Sequence, residues 1–182
     1  MMDFEKAFNL LLKAFQDKKI DFALIGGFAL HVAGYTRATQ DIDFLVLKEK
    51  LSEVKNIMKA KGYELLFESD DVVTFDCDES DLGRVDFLLA HRKYAKAMLS
   101  RARNKSILHG KFSLKVVIPE DLVGLKVQSS ANDPGRFYQD MADIEAIIKA
   151  NLNELNMELV REYFQIFKRE AELDQLLKRV KA

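Results

Sequence analysis

Apolar positions open the chain at helical spacing. Phe4, Ala7, Phe8, Leu11, Leu12 and Phe15 recur every three or four residues, which predicts an amphipathic helix over 3–17. The period then shortens. Residues 21–25 read as a short strand, Gly26-Gly27 turns it into a helix over 28–33, and 41–47 alternates as a second strand. Leu51, Val54, Ile57 and Met58 mark a helix over 50–61, stopped by Gly62. Strands follow over 63–68 and 72–77, joined at Ser69-Asp70-Asp71, then a turn over 78–83 and a strand over 84–89. A helix over 92–104 and a strand over 112–118 complete this part. Pro119-Glu120-Asp121 is a helix start, because proline suits the first turn and acids suit the positive end of the helix dipole. That helix runs to Ala131, Asn132-Asp133-Pro134-Gly135 breaks it, and helices over 136–150 and 153–180 finish the chain. The order predicts an α+β fold. A mixed β-sheet core with flanking helices occupies 1–118, and a helical C-terminal region occupies 119–182.

Composition adds bounds. The 28 basic and 29 acidic residues give a net charge of −1, which argues against wholesale coating of nucleic acid and leaves room for a local basic patch. A single cysteine, Cys77, cannot form an internal disulfide, and the acidic, amphipathic N-terminus lacks a signal-peptide layout. No apolar run approaches the ~18 residues of a membrane span. The expectation is a cytoplasmic protein with no membrane partner.

The informative chemistry lies between 22 and 47. In Asp41-Ile42-Asp43 the alternation of a strand puts both carboxylates on one face, roughly 6 to 7 Å apart along the chain. Ile42, Phe44 and Val46 point the other way, into a core. Two acids on one face of a buried strand are costly unless a positive charge compensates them, and hard oxygen ligands suit Mg²⁺. Gly26-Gly27 is open to two readings, a tight strand-to-helix turn or a phosphate cradle at a helix N-terminus. Asp86, on the strand Arg84-Val85-Asp86-Phe87, is the candidate third carboxylate, with a salt bridge to a nearby Arg or Lys as the alternative. Three acids can hold two Mg²⁺ ions about 4 Å apart, the arrangement used for in-line phosphoryl displacement.

These residues carry a resemblance. Gly26-Gly27, His31, Gly34, Arg37, Thr39, Asp41 and Asp43 resemble the nucleotidyltransferase superfamily typified by DNA polymerase β, and within it the small bacterial proteins of the AbiEii toxin type and their uncharacterised relatives. Pro119 to Lys126, Asp133-Pro134-Gly135-Arg136 and Asp140-Met141-Ala142-Asp143 resemble that family's helical segment. The resemblance implies metal-dependent transfer of a nucleoside monophosphate from an NTP to a hydroxyl, with release of pyrophosphate. Asp41, Asp43 and Asp86 would be the catalytic metal ligands, with Mg²⁺ as the ion and Mn²⁺ as its substitute. Gly26, Gly27, Arg37, Thr39 and Lys126 would bind the nucleotide. The acceptor would be RNA in the toxin branch, with an antitoxin protein as partner, or a small molecule in the antibiotic-modifying branch. The rival reading is a non-catalytic module that keeps the fold to bind nucleotide or a partner. Arg136 and Asp140, four apart on a helix, read as a structural ion pair.

Overall fold

The computed structural model describes residues 2–77 and 81–181. The turn expected over 78–83 therefore falls partly outside the described residues. The chain forms two compact units, one from Met1–Ala29 with Ala38–Val117 and the other from Leu30–Arg37 with Ile118–Ala182.

The first unit is built on one mixed sheet. Helix α1 (Phe4–Asp17) begins at Asp3, whose carboxylate accepts the Lys6 amide and satisfies one of the open N–H groups of the first turn. Strand β1 (Phe22–Leu24) leads into α2 (Gly26–Val32), and β2 (Asp41–Leu47) leads into α3 (Leu51–Ala60). The hairpin β3 (Glu64–Glu68) and β4 (Val72–Asp76) precedes β5 (Arg84–Ala90), α4 (Lys93–Arg101), β6 (Arg103–Ile107) and β7 (Phe112–Val116). The strand order is β3-β4-β5-β2-β1-β7-β6. The pairs β2/β5 and β1/β7 are parallel and the others antiparallel. On one face of the sheet Phe8 and Phe15 of α1 meet Phe44 edge-on, and Phe15 also meets Phe87. Such aromatic packing makes this face the core.

The sequence expectation differs here in one place. Helix α4 ends at Arg101, and residues 103–107 form strand β6 instead of continuing the helix. Arg103, Asn104, Lys105 and Ser106 are all exposed, so the segment has no apolar alternation to betray a strand. Charged side chains on such an edge discourage pairing with other chains.

The second unit is helical, with α5 (Pro119–Asn132), α6 (Phe137–Asn151), α7 (Met157–Ile166) and α8 (Glu170–Lys181). Gly124 lets α7 approach α5, since a Cβ there would lie 2.8 Å from the Tyr163 ring. The Tyr163 hydroxyl donates to Asp121 at 2.6 Å, so both buried polar groups are satisfied. The single helix expected over 153–180 is two helices. Asn156 caps α7, accepting the amides of Glu158 and Leu159, and Lys168 takes a left-handed φ of 55° between α7 and α8. The side of α7 turned inward carries Val160, Tyr163 and Phe164, while Ile166 stays exposed.

Candidate active site

Parallel pairing in register sets Asp43 beside Asp86 and Asp41 beside Arg84. Since side chains alternate, all four lie on one face of β2 and β5, opposite the fully buried Ile42, Phe44, Val85 and Phe87. The core thus fixes which face the acids take, because a slip of one residue would turn them inward. One oxygen from each of Asp41, Asp43 and Asp86 lies within 4.8 Å of the other two. All three residues are half-buried.

Each acid is oriented by its neighbours. The Thr39 hydroxyl donates to Asp41 Oδ1 at 2.9 Å. Thr74 on β4 is the register partner of Asp86, and its hydroxyl donates to Asp86 Oδ1. Arg84 grips the same carboxylate, with Nε 3.0 Å from Oδ2 and Nη2 3.2 Å from Oδ1. This hydrogen bond holds the Arg84 guanidinium above its ordinary pKa. The charges of Asp86, Asp41 and Asp43 add to the effect, and partial burial opposes it.

Gly26 has a φ of +64°, and a Cβ built on it would lie 1.8 Å from Asp43 Oδ2. The Asp43 carboxylate therefore takes the space where a side chain would stand. A Cβ on Gly27 would lie 2.6 Å from Thr39 Oγ1. The glycine pair is needed because the chain passes this close to the residues that bear and orient the acids.

Among the described residues, the three carboxylates of Asp41, Asp43 and Asp86 share this face with the Arg84 guanidinium. Hard oxygen donors from three side chains at this spacing fit a divalent cation. The structure thus brings together Gly26, Gly27, Thr39, Asp41, Asp43 and Asp86 within the first unit.

Arg37 and Lys126 belong to the second unit. Lys126 is 6% exposed, and its ammonium lies 2.9 Å from Asp140 Oδ1 and 2.7 Å from Asp143 Oδ2, both fully buried residues. Arg136 pairs with Asp140 at 3.3 Å, and Arg37 lies 3.4 Å from Asp143. Gln139 also donates to Asp143 Oδ1 at 2.9 Å. Burial drives the Asp140 pKa up. The hydrogen bond and charge of Lys126, with Ser129 and Arg136, outweigh it and hold the group below the usual carboxylate range.

Sequence reasoning missed Thr74, whereas the salt bridge it offered as the alternative for Asp86 is the one Arg84 makes. The signal for Arg84 was present, because it stands two residues before Asp86 on the same strand face. Thr74 becomes a neighbour only once β4 and β5 are paired.

Among solved structures, the antibiotic-resistance factor ANT(2'')-Ia superposes with a TM-score of 0.68 at 15% identity, covering 98% of this chain and 100% of its own. The lincosamide adenylyltransferase LnuA gives 0.56 at 16% identity, covering 79% of this chain and 95% of its own. An antigenic nucleotidyltransferase-like protein from Paracoccidioides brasiliensis gives 0.56 at 17% identity, covering 98% and 94%. At these identities the likeness establishes a shared nucleotidyltransferase fold. Curated protein sequences give no match to this chain. The model of the uncharacterised nucleotidyltransferase family matches residues 3–172, a span that takes in the glycine pair, all three acids and most of the helical unit. The chain belongs to that family of nucleotidyl-transferring enzymes.

Proposed function

We propose that this protein transfers a nucleoside monophosphate from an NTP to a hydroxyl of a small-molecule acceptor, with release of pyrophosphate. The observation that carries the reading is the register of Asp43 with Asp86, which gathers three carboxylates from two strands within 4.8 Å. Asp41, Asp43 and Asp86 would hold Mg²⁺ or Mn²⁺. The bound ions would supply Lewis-acid stabilisation of the triphosphate.

The remaining roles belong to the chain. Thr39 holds the Asp41 carboxylate in one orientation, and Gly26 leaves Asp43 the space it occupies. Gly26 and Gly27 keep side chains away from the nucleotide side of the acids. Asp86 is the base: it takes the proton of the acceptor hydroxyl as that oxygen forms its bond to the α-phosphorus. The bond between the α-phosphorus and the bridging oxygen breaks, and pyrophosphate leaves with the electron pair. Asp86 then passes the proton to water. Thr74 and Arg84 fix the carboxylate from two sides so that it meets the hydroxyl in one geometry.

A net charge of −1 favours a small acceptor over a polyanion. ANT(2'')-Ia, a structural neighbour, has been seen with adenylyl-2''-tobramycin, and LnuA with lincomycin. The test is to incubate NTPs labelled at the α-phosphate with Mg²⁺ and three acceptors: tobramycin, lincomycin and total cellular RNA. Label on a small molecule, lost in Asp41→Ala, supports the reading. Transfer confined to RNA replaces the acceptor with the toxin-type one. No transfer to any acceptor, with Asp41→Ala binding NTP normally, leaves a non-catalytic binding module.

A further inference from the structure

A row of residues crosses the sheet at the level of the acids. Asp43 pairs with Asp86, Asp86 with Thr74, and Thr74 with Phe67 on the edge strand β3. Residues paired across neighbouring strands present their side chains to the same face. Phe67 therefore shares the face of Asp86, two strands away, or about 10 Å by strand spacing. It is 55% exposed, and its neighbour Leu66 is 58% exposed. Phenylalanine held half in water on the face of the acids gives up part of the burial that normally stabilises it.

Charge on this face narrows what could cover the ring. Glu64 pairs with Asp76, and Asp76 is two residues from Thr74, so both acids lie on the Phe67 face. Of the basic strand residues on this face, Arg84 is engaged by Asp86, and Lys115, four strands from Thr74 on β7, pairs with Asp21. Lys55, which pairs with Glu68, serves the other face, since Glu68 is in register with the buried Val73.

We infer that Phe67 is a specificity-determining residue, the platform on which the acceptor's ring rests, and that the acceptor is a cationic, hydroxylated small molecule. This deepens the transfer reaction proposed above and rests on it. The apolar face of a sugar-like ring covers Phe67 and Leu66, the ammonium groups meet Glu64 and Asp76, and a hydroxyl is presented to Asp86. An aromatic ring under such a cation adds quadrupole attraction to the area it buries.

The experiment measures transfer and binding in the full chain with tobramycin as the cationic probe and its per-N-acetylated derivative as the neutral one. Phe67→Ala raises the KM for tobramycin about tenfold, on the scale of one ring contact. It leaves the KM for NTP and the Mg²⁺-dependent binding of NTP unchanged. Phe67→Tyr restores the wild-type KM, which a merely structural role for a half-exposed ring would not require. Glu64→Gln narrows the preference for tobramycin over the neutral derivative about threefold, in line with the loss of one screened charge contact. Unchanged tobramycin KM in Phe67→Ala, with wild-type transfer intact, overturns this inference alone. Equal use of the two probes by the wild type overturns the cationic assignment. Transfer to RNA only, or no transfer by the wild type, overturns the inference together with the reaction on which it rests, and the wild-type control separates these cases.

Discussion

Gly26 and Asp43 compete for one volume: the Asp43 carboxylate fills the position that any side chain at 26 would need, with 1.8 Å between Oδ2 and an ideal Cβ. Gly26→Ala is therefore strained twice, by the contact and by the left-handed φ of +64°. The left-handed conformation alone costs alanine about 1–2 kcal/mol. Displacing Asp43 lowers transfer by about 100-fold, the usual penalty for misplacing a reactive group by an ångström. Thermal melts and single-turnover rates on Gly26→Ala check both.

If the three acids hold divalent ions as proposed, those ions should stabilise the folded protein. At an Mg²⁺ concentration ten times its Kd, linkage adds about 1.4 kcal/mol. Asp41→Asn and Asp43→Asn lose most of that gain, and titrating Mg²⁺ against the melting temperature of each variant measures it.

Lys126 is the keystone charge of the helical unit, held between two fully buried carboxylates. Lys126→Met leaves Asp140 and Asp143 with Arg136 and Arg37 as cationic partners, both partly exposed. Breaking a buried pair on one side costs about 3 kcal/mol or more. Urea unfolding followed by far-UV circular dichroism reads the loss. The double variant Asp140→Asn with Lys126→Met recovers part of it.

Acid weakens the same network. The folded pKa of Asp140 lies below the usual carboxylate value, so its contribution is fully present above the unfolded pKa of about 4. It is lost as the pH falls through the folded value. The urea midpoint of the wild type should therefore hold level above about pH 5 and fall steeply below about pH 4. Asp140→Asn should show a shallower acid limb from a lower plateau.

Much of the first unit was legible because its chemistry is local. Asp41 and Asp43 are two residues apart on one strand, and Asp86 stands between apolar neighbours that assign its face. The partners of Lys126 were not legible in the same way. Asp140 is fourteen positions away on another helix, and periodicity assigns faces without saying which helices meet. The break between α7 and α8 was hidden for a different reason. A left-handed lysine makes the turn at 168, where no glycine or proline stands as a signal. Strand β6 was hidden because all but one of its side chains face water.

Strand β3 carries a register shift between Leu65 and Phe67. In an unbroken strand those two residues, two apart, would look the same way, and Leu65 pairs with the core residue Phe75. The unpaired Leu66 acts as a parity bit. It flips every later side chain of the strand to the opposite surface, and so delivers Phe67 to the acids and Glu68 to Lys55. Were Leu66 to take the place opposite Thr74, Phe67 would turn to the Val73 face and Glu68 to the face of the acids. Which side chain this edge offers to the proposed acceptor is therefore set by where the extra residue sits.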